Sequence, residues 1–89
     1  MNIELYPEIR NLIRELLKQR GPNKSICPSE VARKLDTEHW RERMDEVRQV
    51  GKIMALEGEI IITQKTQMID PKAGGKGAIR FRWPGPFQL

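Results

Sequence analysis

Residues 59–83 read EIIITQKTQMIDPKAGGKGAIRFRW, and the change of rhythm inside them sets the expected fold. EIIITQ is rich in β-branched side chains and predicts a strand over about 59–65. AIRFRW alternates, with Ile79 and Phe81 (and Trp83 as a further candidate) set against Ala78, Arg80 and Arg82. That period of two predicts a partner strand with one face inward. TQMIDPKAGGKG between them holds Asp70-Pro71 and three glycines, and reads as a loop too long for a tight hairpin turn. The tail PGPFQL, residues 84–89, reads as irregular.

Working back from that stretch, the period becomes helical. Ile9, Leu12, Ile13, Leu16 and Leu17 form one apolar stripe, with Pro7 ahead of it and Gly21-Pro22 behind. This predicts an amphipathic helix over about 7–20. Ser25-Ile26-Cys27 reads as extended, because Pro28 disfavours the α region for its predecessor. Pro28 then opens a short helix with Val31, Ala32 and Leu35 inward. Asp36 and Thr37 offer an N-cap for the next segment, read as a short helix at 37–43 and a longer one at 45–57, with Asp45 as a second cap. The longer helix has Val47, Val50, Ile53, Met54 and Leu56 on its apolar side. Asp45, Arg48, Gln49 and Lys52 fall on one polar face. Gly51, inside a helix, predicts the close approach of another backbone.

The order helix, short strand, helix, helix, strand, basic loop, strand fits a winged helix: a mainly α domain with a three-helix core and a two- or three-stranded wing sheet. It occupies residues 1–83 as one domain, with 84–89 as its tail. The segments CPSEVARKL, HWRERMDEVR, GEIIITQK and KGAIRFR, in this order and spacing, resemble a family of small bacterial domains of unknown function with a winged-helix fold. The matching residues are Pro28, Ser29, Glu30, Val31, Ala32, Trp40, Met44, Val47, Arg48, Gly58, Thr63, Gln64, Asp70, Pro71, Lys76, Gly77 and Arg80, within a span of about 9–82. Thr66 stands where that family usually has Gly, and Asp45 where Pro is common. The resemblance implies the architecture. It implies no reaction and no ligand.

Eighty-nine residues suffice for one small domain. Residues 1–64 hold equal numbers of basic and acidic side chains, so the net charge of +4 comes entirely from Lys65, Lys72, Lys76, Arg80 and Arg82 against Asp70. No apolar run approaches the ~18 residues of a membrane span, and the N-terminus has no signal-peptide pattern, so a cytoplasmic protein without membrane contact is expected. Cys27 is the only cysteine and His39 the only histidine, which argues against an internal disulfide and against most metal centres. Neither catalytic residues nor a cofactor are expected.

The charge placement points to nucleic acid. A winged helix lays its recognition helix, here about 45–57, in the major groove, while a basic wing, here about 65–82, meets the backbone. Lys65, Lys72, Lys76, Arg80 and Arg82 are the candidate phosphate contacts. Arg48 suits guanine and Gln49 adenine, while Lys52, Arg41 and Arg43 suit the flanking backbone. Each has a plainer alternative. The wing cations can serve solubility alone, and Arg48 can instead pair with Glu30 or Asp45. Glu42, Asp45 and Glu46 complement the helix dipole but repel phosphate. Cys27 reads as a small half-buried residue, His39 as a polar helix-start residue, and Trp40 and Phe81 as core anchors. Trp83 and Phe87 are candidates for exposed contact with a partner. GGKG at 74–77 lacks the spacing and the Ser/Thr of a P-loop and reads as a wing tip. The expected partner is therefore double-stranded DNA. A protein-interaction adaptor is the alternative and RNA binding a weaker one; no dimerisation helix is evident, and the oligomeric state is open.

Overall fold

Pro7 stands in the first turn of helix α1 (Tyr6–Arg20), and Gly21 ends it with a φ of 114° and an N–H that returns to the Leu17 carbonyl. The computed structural model describes residues 5–65, 67–72 and 77–84. Ile9, Ile13, Leu16 and Leu17 are buried along one side of α1, with Leu12 half-buried at the edge of the stripe. Strand β1 (Ser25–Ile26) leads into helix α2 (Pro28–Leu35). The Cys27 N–H donates to Glu30 Oε2 at 2.8 Å, the carboxylate half of a capping box.

The next expected helix, 37–43, is a single 3₁₀ turn, Trp40–Arg43. Asp36 is not its N-cap: His39 precedes the turn without a side-chain cap, and Asp36 Oδ1 accepts the His39 N–H at 3.0 Å ahead of it. Helix α3 follows at once as Met44–Leu56. Asp45 is not its cap. The 3₁₀ turn runs straight into α3, the Met44 N–H is already bonded to the Arg41 carbonyl, and Asp45 falls in the first helical turn.

The sheet has four antiparallel strands, β2 (Ile61–Gln64), β3 (Gln67–Met68) and β4 (Arg80–Arg82) joining β1 in the order β1-β4-β2-β3. β3 lies in what reads as loop. A tight reversal after Gln64, with Lys65 at φ 52°, folds Gln67 back onto Gln64 and Met68 onto Thr63. The chain then returns to the opposite side of β2, where Ile62 lies opposite Phe81 and Phe81 opposite Ile26. That row faces the helices and is buried. Arg80 and Arg82 alternate to the other face of the sheet. Three helices on a small antiparallel sheet make a mainly α domain of winged-helix-like layout.

Gly51 lies against the ring of Phe81 rather than against another backbone, and a Cβ there would fall inside that ring's contact distance. α3 therefore sits directly on the centre of the sheet. At the end of α3, Glu59 Oε1 accepts from Arg10 Nη2 at 2.7 Å and from Arg14 Nη2 at 3.0 Å, which ties α1 to the chain entering β2. Tyr6 Oη accepts a further bond from Arg10 at 2.6 Å.

Candidate nucleic-acid interface

Packing Gly51 on Phe81 turns the opposite flank of α3 toward the wing. Asp45, Arg48, Gln49 and Lys52, four residues at helical spacing, form one wall of a groove of about 440 Å³. Ile62, Ile69, Pro71 and Ile79 form the rest. Arg48 crosses from helix to wing: its Nη2 donates to the Gly77 carbonyl at 3.1 Å. Glu30, a partner considered for Arg48, instead receives the Arg20 guanidinium. Arg48 thus helps fix the wing against α3, while Gln49 stays exposed on the same face.

Of the three carboxylates near the start of α3, only one lines the groove. Glu46 turns inward to 14% exposure and pairs with Arg43 at 3.2 Å. Glu42 is exposed on the 3₁₀ turn, and Asp45 stands in the groove wall. The helical wall therefore carries Arg48 and Lys52 against Asp45 alone.

The remaining candidates divide. Arg43 also bonds Asp36 at 3.3 Å; its hydrogen bond to Glu46, against partial desolvation and with help from Asp36, raises its pKa and keeps it charged. It braces the α2–α3 corner. Arg41 stacks on Trp40, with the guanidinium carbon 4.4 Å from the ring centre. Trp40 is half-buried against the core, whereas Phe81 is fully buried. Arg80 lies across the sheet from the groove and donates to Ser25 Oγ at 2.6 Å and to the Ser25 carbonyl at 3.1 Å. It stitches β4 to the edge strand β1 while staying exposed. Arg82 is half-buried on the same side. Lys65 and Lys72 are exposed on the wing. Lys65 shares a second groove with Gln64, Gln67 and Arg80 on the sheet's flank. Lys76, the rest of the GGKG segment except Gly77, and Phe87 lie outside the described residues.

Cys27 is half-buried and accepts a hydrogen bond from Ser29 Oγ at 3.1 Å. His39 is exposed at the start of the 3₁₀ turn, with Nδ1 3.5 Å from Asp36 Oδ1. Trp83 packs half-buried beside Asn11, Arg14, Glu15 and Lys18 of α1. Arg33, which sequence spacing did not single out, stacks on Trp40 at 4.3 Å. Its signal is tertiary, because α2 and the 3₁₀ turn must fold together before the two side chains meet. Among the described residues, no helix is long and apolar enough to cross a membrane, and no group of three His, Cys, Asp or Glu is placed to hold a metal ion.

The fold and its groove define a small helix-on-sheet domain of winged-helix-like layout. A family model described as a protein of unknown function (DUF3253) matches residues 7–84, and the chain belongs to that family. No curated protein matches it.

Proposed function

We propose that the domain binds double-stranded DNA, with α3 toward the major groove and the wing along the backbone. One observation carries this reading: the polar face of α3 and the wing line a single groove, joined by the bond from Arg48 to Gly77. A duplex approaching that side meets Gln49 and Lys52 from the helix together with exposed Lys72 from the wing. Most of the affinity in this reading is electrostatic, since phosphate neutralisation releases counterions and base contacts add discrimination. Gln49 then offers a bidentate contact to adenine. Lys65, Lys72 and Lys76 act on the backbone. Arg80 and Arg82, on the far face of the sheet, contribute long-range field more than contact. The role is binding without catalysis, and its place is the cytoplasm.

A protein-docking role is favoured by one feature, the apolar floor of Ile62, Ile69, Pro71 and Ile79 beneath Asp45. Duplex titrations with the Lys52→Gln/Lys72→Gln variant separate the two readings. DNA binding requires weaker association with every duplex and a salt slope less steep by about 1.8, close to 0.9 for each lost phosphate contact. Binding identical to that of the unmodified protein would overturn the assignment.

A further inference from the structure

The corner between α2 and α3 carries a second cationic feature, away from the groove wall. Arg33, in the last turn of α2, and Arg41, in the 3₁₀ turn, both place their guanidinium carbons over the Trp40 ring, at 4.3 and 4.4 Å from its centre. Both arginines are exposed, while Trp40 is half-buried and anchored against the core. Two like charges gathered on one ring repel each other, and carboxylates are close at hand to relieve them. Asp36 and Glu46, however, are both engaged by Arg43. Among the described residues, neither Arg33 nor Arg41 makes an ion pair with a carboxylate.

Stacking uses the flat face of a guanidinium and leaves its in-plane N–H donors directed outward. Those donors match the paired oxygens of a phosphate group. Holding the planes on a rigid ring also removes, before binding, much of the side-chain freedom that a surface arginine otherwise loses on contact. Arg41, in the 3₁₀ turn, comes four residues before Asp45, so the pair lies just ahead of α3, whose polar face lines the groove.

We propose that Arg33 and Arg41, stacked on Trp40, form a phosphate clamp that grips the DNA backbone at the α2–α3 corner, as a contact separate from those of the wing. This inference rests on duplex DNA being the partner. It adds a second anchoring point, so that the backbone is held ahead of α3 as well as at the wing.

The test compares the full-length protein with its Arg33→Gln/Arg41→Gln variant, using a short random duplex over a range of salt. The clamp requires about tenfold weaker binding at low salt and a log–log slope less steep by about 1.8, with native secondary structure retained because both side chains are exposed. Trp40→Leu, which keeps both charges but removes their platform, must weaken binding by a smaller factor. In a Trp83→Phe background Trp40 is the sole tryptophan, and its emission must change as duplex is added. If the unmodified protein binds with a steep salt dependence and the double variant matches it, the clamp is refuted while DNA binding stands. If the unmodified protein binds no duplex at low salt, both fall.

Discussion

Gly51 and Phe81 meet at the point where α3 rests on the sheet. Alanine at 51 offers about 1 kcal/mol in helix propensity, but its methyl group has to enter the space of a fully buried ring. Overpacking of that kind costs about 1–3 kcal/mol, and the ring is held in a row with Ile26 and Ile62, so the loss wins. Gly51→Ala is therefore expected to lower stability in urea unfolding. In a Phe81→Leu background the same substitution should cost less, giving a measurable coupling between the two positions. Glu59 makes a different prediction. Hydrogen bonding from Arg14, opposed by partial desolvation and reinforced by Arg10, holds its carboxyl below the usual range. A depressed folded-state pKa gives stability that is complete above the unfolded value and is lost as pH falls through the folded one. Unfolding free energy should accordingly drop between about pH 5 and pH 3, and Glu59→Gln should flatten that decline.

Short elements carry their own accounting. Lys65 turns β2 into β3 with a φ of 52°, a region that disfavours side chains with a Cβ. Lys65→Gly relieves that cost and loosens the unfolded chain, for a net gain on the order of 0.5–1 kcal/mol and a slightly higher Tm. The same change removes a wing cation, so duplex affinity should fall while stability rises. A loop cation without a binding role would show the gain in stability alone. The turn also marks a limit of sequence reading. α1 and α2 were legible because Pro7, Gly21 and Pro28 punctuate strong apolar periodicity. β4 was legible through its alternation. β3 was not, since Gln67 and Met68 make a strand of only two residues with both side chains exposed, paired there because β2 offers its free edge. The helix expected at 37–43 is shorter in the structure for a related reason. Asp36 holds the His39 N–H ahead of the turn, the chain needs only one 3₁₀ turn to reach α3, and that continuous entry makes a cap at Asp45 unnecessary. The polar stripe of α3 was visible from its spacing. The tie from Arg48 to Gly77 and the meeting of Arg33 with Trp40 were not, because each joins segments brought close only by the tertiary fold.

At the scale of the molecule, the charge excess of residues 65–89 is divided by the sheet. Arg80 and Arg82 stand on the face away from α3, and Arg80 is partly occupied with Ser25. The groove side keeps Arg48, Gln49 and Lys52. The proposed DNA surface is consequently smaller than the whole basic segment and more dependent on α3 and on the α2–α3 corner. Four phosphate contacts from Lys52, Lys65, Lys72 and Lys76, or six with Arg33 and Arg41, imply a steep but bounded salt response. The decisive measurement is the affinity of the protein for a short random duplex across a series of salt concentrations. Duplex binding through this surface requires association at low salt with a log–log slope of about −4 to −5. No association at the lowest salt, or an affinity indifferent to salt, would contradict it.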